Sequence, residues 1–212
     1  MNELKQVIED AQRELLTMMG ELPPEPKDLR EVYIRFLSMQ YHLTKGVQRS
    51  ILGVAAHTTI GRRRSLRNFL VRFASEEEFH YELAALDLEA LGAKPGPIPF
   101  DVELWWAYWD RMIPERPLLR LGASSVLENI AGKSRDVIRD IEASSPLFGP
   151  KCTRFFKLHM HDTDAPHGDE LLAALHMADF NAEDWATLKE GAEKGSIMYL
   201  RMIRWVIHGK VS

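Results

Sequence analysis

The stretch that decides the fold is "SLRNFLVRFASEEEFHYELAALDLEALG", residues 65–92. Its apolar residues recur every three or four positions, which is the spacing of one face of an α-helix. The chain lacks alternation of β-branched residues at period two, so the pattern predicts an all-α protein. The same helical face carries Glu77 and His80 where the period predicts core residues. A buried carboxylate is costly unless it is paired or bound to a cation, so this polar pair indicates a special site.

Apolar residues with helical spacing cover most of the chain and are interrupted by segments rich in Gly, Pro, Ser or Asn. We predict seven helices, near residues 2–20, 28–58, 65–92, 101–113, 117–143, 149–178 and 182–208. Several exceed the average helix length of about 11–12 residues. Long helices joined by short turns bury their apolar stripes against one another, which predicts one helical bundle domain over 1–212.

The composition indicates a protein without nucleic-acid or membrane partners. The formal charge is −4 and the pI about 6.1, whereas a nucleic-acid surface needs clustered Lys and Arg. The basic run "GRRRSLR", 61–67, is interpreted as a solvated turn and helix start. We find no secretory signal and no apolar run near the roughly 20 residues of a membrane span. The single cysteine, Cys152, agrees with a reducing compartment, so a cytoplasmic location is expected.

Two helices carry an acid and a histidine three residues apart. Glu77 and His80 form the first pair, and Asp164 and His167 in "HMHDTDAPHGDELL", 159–172, form the second. Side chains at i and i+3 lie together on a helix, and paired acid-x-x-His helices are typical of carboxylate-bridged two-metal sites. The pattern therefore predicts a buried metal site. The alternative is a buried hydrogen-bonded network without metal.

Further candidate ligands flank these pairs. Pro166 should distort the sixth predicted helix and could turn His161 or His159 inward. Glu76 and Glu78 are alternatives to Glu77 if that helix is rotated.

A third carboxylate, Glu128, lies on the fifth predicted helix beside its apolar stripe. The residues around Glu128 are small, so they either let helices pack closely or leave room for a substrate. The aromatic segment "ELWWAYWDRM", 103–112, either lines an apolar pocket or anchors the fourth helix, and we favour the anchor.

The segments "EEEFHYELAALDLEALG", "SSVLENIAGK" and "HMHDTDAPHGDELLAAL" resemble the heme-oxygenase-like diiron oxidases and oxygenases. That superfamily shares its fold with heme oxygenase, the TenA/THI-4 thiaminases and the pyrroloquinoline-quinone synthase. The resemblance implies a homodimeric enzyme that binds two Fe²⁺ ions and uses O₂ to oxidise a small organic substrate. At the position of the first histidine in the family's third motif, this chain has Met160. Either His161 or His159 replaces that histidine, or the second metal site is weak or absent. The ligands implied in this chain are Glu77, His80, Glu128, His161, Asp164 and His167.

Two other functions remain open from the sequence. A degenerate relative would bind no metal and instead hold a small ligand or a protein partner. A TenA-like enzyme without cofactor would depend on Cys152. A ferritin-like bundle could also use two Glu-x-x-His pairs, but the Pro-rich connection 94–99 and the number of helices favour the heme-oxygenase-like arrangement.

Overall fold

The computed structural model describes residues 1–131, 151–160 and 167–209, with the single positions 136, 139 and 149. Within these residues the chain forms helices and turns and no strand, so the all-α prediction is confirmed. The helices are α1 (Asn2–Met19), α2 (Pro26–Thr44), α3 (Val47–Ala56), α4 (Thr58–Gly61), α5 (Arg64–Glu76), α6 (His80–Ala90), α7 (Phe100–Met112), α8 (Pro117–Leu127), α9 (Arg154–Met160), α10 (His167–His176) and α11 (Ala182–His208).

Some helices predicted as continuous are divided. The segment 28–58 is divided into α2 and α3 at Gly46, where a Cβ atom would lie only 2.6 Å from the Trp106 ring. The segment 65–92 is divided into α5 and α6 at Phe79, whose φ of 69° is left-handed. Apolar periodicity continues across both breaks, and for this reason it did not reveal them.

The boundaries of the fifth and sixth predicted helices are only partly described. Helix α8 ends at Leu127, and residues 128–131 form turns. The sixth predicted helix is represented by α9 and α10, and the segment 161–166 between them lies outside the described residues.

The most extensive helix packing is between α8 and α11. A Cβ atom on Gly122 would collide with the carbonyl oxygen of Leu188, and one on Gly191 would collide with that of Leu119. The two backbones can approach this closely because glycine has no side chain. The small residue at position 122 therefore serves close packing rather than leaving space for a substrate.

A smaller aromatic cluster attaches α9 to α2 and α6. Phe156 stacks on Tyr33 and on Phe36 at ring distances of 5.2 and 5.1 Å. The buried Asp87 carboxylate accepts a 2.8 Å hydrogen bond from the backbone N–H of Phe155, in the first turn of α9. This contact satisfies one of the N–H groups that a helix start leaves without an intrahelical partner. It anchors the start of α9 against α6.

Among the helices that the structure describes, none is both long and apolar enough to cross a bilayer.

Candidate metal centre

The break between α5 and α6 brings Glu77 and His80 together. Glu77 follows the last residue of α5, and His80 begins α6. Phe79 between them has a left-handed backbone conformation that ends one helix and allows the next to start. Glu77 Oε2 lies 3.0 Å from His80 Nδ1, and both side chains are less than one-tenth exposed. The Glu-x-x-His pair predicted from the sequence is therefore formed and buried, although by a turn rather than by a continuous helix.

His167, the first residue of α10, joins this pair from the other side. Its Nδ1 lies 3.6 Å from Glu77 Oε1, and its Nε2 lies 3.3 Å from Glu76 Oε2. The imidazole packs edge-on against Phe73, with ring centroids 5.4 Å apart. The His167 side chain is 31% exposed, so it is more accessible to solvent than the side chain of Glu77.

Glu128, just after α8, completes a three-residue cluster. Ligand atoms of Glu77, Glu128 and His167 all lie within 4.8 Å of one another. The start of α10 lies close to the end of α8, since a Cβ atom on Gly168 of α10 would overlap Asn129, the neighbour of Glu128. Metal–ligand bonds of about 2 Å place donors around one ion about 3–4 Å apart, so small side-chain rotations would close the cluster on a cation.

The electrostatics of the cluster favour a cation. Burial and the Glu77 charge raise the pKa of Glu128 to about 8, although His167 and Arg120 oppose the shift. The hydrogen bond with Glu77 raises the pKa of His167 despite its partial burial. Carboxylates and imidazoles at these positions suit divalent iron in charge and donor type, so the residues present fit the metal implied by the resemblance.

The structure brings together part of the predicted ligand set. Glu77, His80, Glu128 and His167 converge as described, and Glu76 contacts His167 whereas Glu78 is exposed. Asp164 and His161 lie outside the described residues, and the side chains of His159 and Met160 are not described. The roles predicted for Asp164 and His161 stay predictions.

Cys152, the residue on which a TenA-like activity would depend, lies in the turn before α9. It is partly buried, and its backbone carbonyl accepts a 2.6 Å hydrogen bond from the Tyr33 hydroxyl. This contact gives the turn a structural role and does not involve the thiol.

Two buried polar groups near the cluster were missed by the sequence analysis. Arg120 of α8 is 1% exposed and lies about two turns before Glu128, which follows the end of that helix. Tyr199 of α11 accepts a 3.2 Å hydrogen bond from Gln40, and burial raises its pKa to about 12, with a smaller contribution from the Glu128 charge. The spacing of Arg120, Ser124 and Glu128 by four residues is the one sequence signal that places this arginine on the face of Glu128.

Comparisons with known proteins agree with this architecture. Residues 34–199 match the model of a family described as iron-containing redox enzymes. A crystal structure of a domain of unknown function with a heme oxygenase-like fold, from Shewanella denitrificans, is similar with a TM-score of 0.81. The similarity covers 97% of this chain and 90% of that chain at 22% sequence identity. It shows the heme oxygenase-like fold that the resemblance implied. No curated protein matches the chain significantly.

Proposed function

This chain belongs to the family of iron-containing redox enzymes, and we propose that it is a non-heme diiron oxidase or oxygenase acting on a small organic substrate. The observation that supports this proposal most directly is the convergence of Glu77, Glu128 and His167 from three separate helix ends, with His80 against Glu77. Bundle interiors that gather carboxylates and imidazoles from facing helices are the sites where diiron proteins hold their metal.

The protein side chains would hold the metal and balance its charge. Glu77, Glu128, His167 and His80 would act as ligands, and we propose Asp164 and His161 as the remaining ones. Iron bound there would supply the reduction of O₂ that oxidises the organic substrate. Because metal ligands must be deprotonated, Glu128 would release its proton when the cation binds.

The apolar surroundings would shield the inner side of the cluster from water. Phe73 is 1% exposed and packs against His167, while Leu70 and Leu171 are fully buried on the same helices. An apolar shell of this kind strengthens the electrostatic interactions inside it and protects reactive species from solvent.

The first test is iron binding by the purified protein and two variants. Wild type, Glu77→Gln and Glu78→Gln would be loaded with Fe²⁺ without oxygen, freed of loose metal and assayed for iron per chain. We expect about two irons in wild type and in Glu78→Gln, because Glu78 is exposed. Glu77→Gln removes a buried charged ligand without changing its size and should lose most of the iron. Admission of O₂ should then produce rapid oxygen uptake only in the two proteins that hold iron.

A wild-type protein that holds no more iron than Glu77→Gln would contradict the proposal. That result would favour the metal-free alternative, in which the contacts from Glu77 to His80 and His167 form a buried network without metal.

A further inference from the structure

A buried arginine lies on the helix that leads to the metal cluster. Arg120 of α8 is 1% exposed, and it is followed at intervals of four residues by Ser124 on the same helix and by Glu128 just after its end. Residues at this spacing share one broad face of a helix, and eight residues correspond to about 12 Å along the axis. The guanidinium of Arg120 and the carboxylate of Glu128 therefore mark two ends of one stretch of the bundle interior.

The guanidinium is held in place by two hydroxyl groups and has no carboxylate in direct contact among the described residues. Its Nε donates a 2.9 Å hydrogen bond to the Ser50 hydroxyl, and its Nη1 donates a 2.6 Å bond to the Ser124 hydroxyl. Within the described residues no acidic side chain forms a direct ion pair with it, although the charges of Glu128 and Glu77 act on it from farther away. Burial lowers the pKa of Arg120 to about 10, so the group is still a cation at neutral pH. A buried cation normally has a charged partner, because hydroxyl groups replace only part of its hydration.

Three indole rings from α7 surround the same guanidinium. The Arg120 Cζ atom lies 5.5 Å from the Trp105 ring and 6.0 Å from the rings of Trp106 and Trp109. Trp106 donates its N–H to the backbone carbonyl of His42. The Nε1 groups of Trp105 and Trp109 are fully buried and have no acceptor in the described part of the chain. An indole N–H can only donate, so the two buried donors on rings that flank this cation need acceptors that these residues do not provide.

We propose that Arg120, Trp105 and Trp109 form an anion subsite that binds a carboxylate of the organic substrate. This assignment rests on the proposed function, because it treats the Glu77, Glu128 and His167 cluster as the reacting end. A carboxylate accepts up to about four hydrogen bonds and pairs with the planar guanidinium through two of them, so it supplies both a negative charge in direct contact and the missing acceptors.

The positions of the two ends orient such a substrate. Arg120 attracts the carboxylate at one end of this stretch, so the other end of the substrate is directed toward the candidate metal ligands Glu77 and Glu128. The substrate class is therefore an organic acid whose oxidised atom is separated from its carboxylate by an apolar body shorter than about 12 Å.

The test measures ligand binding to the iron-free protein. Tryptophan fluorescence monitors the binding, because three indoles surround the subsite. The probes are 3-phenylpropanoate, the uncharged 3-phenylpropan-1-ol and formate. We expect 3-phenylpropanoate to bind at least about 10-fold more tightly than the alcohol, since a charge-assisted bidentate pair is lost in the alcohol. It should also bind more tightly than formate, which has no apolar body. Equal affinity for the acid and the alcohol would overturn the proposal, and equal affinity for the acid and formate would show a small-anion site instead of a substrate subsite.

Two variants assign the binding to the named residues. Arg120→Gln should abolish the preference for the acid over the alcohol. Trp109→Phe keeps an aromatic ring in the core and removes one N–H. It should weaken acid binding several-fold while leaving alcohol binding unchanged. This variant tests the assignment if Arg120→Gln does not fold. A preference that survives in each folded variant would overturn the assignment. Since no iron is present in these measurements, their outcome is separate from that of the iron-loading test.

Discussion

At the scale of single residues, Glu128 shows a large effect of its environment. Its partly buried carboxyl group lies beside Glu77, and burial and the Glu77 charge together raise its pKa to about 8. In the iron-free protein at neutral pH this group is therefore mostly protonated. A divalent cation would displace that proton, so metal binding and proton release are linked at one side chain.

The pH dependence of stability should report this proton. The usual pKa of a glutamate is 4.5 and that of folded Glu128 about 8, so the folded state holds an extra proton between these values. Its stabilising contribution is complete below about pH 4.5 and is lost as the pH rises through about 8. The raised pKa of His167 acts in the same direction, with a loss that begins at higher pH. We expect the melting temperature of the iron-free protein to fall by several degrees between about pH 6 and about pH 9.

The matched variants for this measurement are Glu128→Gln and the exposed Glu78→Gln. Glu128→Gln cannot ionise and should flatten the pH profile, whereas Glu78→Gln should keep the wild-type slope. Identical slopes in both variants would show that Glu128 does not hold the proton.

At the scale of the elements, the turn between α5 and α6 shapes the candidate metal centre. Phe79 has a backbone φ of 69°, which residues with a Cβ atom rarely adopt. Its side chain is 54% exposed. Because of this turn Glu77 and His80 meet within hydrogen-bonding distance at the junction of two helices. Strained backbone of this kind is typical of functional sites, where the surrounding packing maintains it.

Replacement of Phe79 should separate the backbone strain from the side chain. Phe79→Gly and Phe79→Ala remove the same exposed ring, but only glycine adopts the left-handed conformation without a steric cost. We expect Phe79→Gly to be more stable than Phe79→Ala by about 1 kcal/mol in urea unfolding, and to keep wild-type iron binding. An alanine variant as stable as the glycine variant would mean that the turn is not strained at this residue.

At the scale of the whole molecule, the contact between α8 and α11 supports both proposed sites. Helix α8 carries Arg120 and leads directly to Glu128, while α11 carries Tyr199. The two backbones touch at Gly122 and Gly191, so the position of α8 depends on residues that lie outside either site. A change in this contact would move the ligand cluster and the anion subsite together.

Gly122→Ala should be strongly destabilising, because its new Cβ atom would meet the backbone of Leu188 rather than a movable side chain. We expect the free energy of unfolding to fall by more than about 2 kcal/mol. Gly61→Ala is the matched control, since no atom lies within 4 Å of its Cβ position and it ends a helix. Its effect should stay within about 1 kcal/mol. A Gly122→Ala variant as stable as Gly61→Ala would show that the α8–α11 approach is not limited by this glycine.

The sequence by itself determined the helical class and much of the candidate site. The 3.6-residue period predicted the helices, and polar residues interrupting that period predicted Glu77, His80 and His167. Glu128, which lies beside its stripe, was implied by the family resemblance, and the structure brings these four residues together. This worked because a helix fixes the direction of each side chain relative to its neighbours three and four residues away, so an acid in an apolar stripe must lie inside.

Only the tertiary structure decided the breaks in the helices, the close approach of α8 to α11 and the burial of Arg120. The sequence around the turn at Phe79 contains no Gly or Pro that would predict a turn, and the apolar pattern continues across it. Whether Arg120 is solvated or buried depends on Trp105 and Trp109 from another helix, which local spacing does not reveal. The physical reason is that periodicity sets orientation within one helix, whereas the distance between helices and the charge balance inside them depend on the packing of residues far apart in the chain.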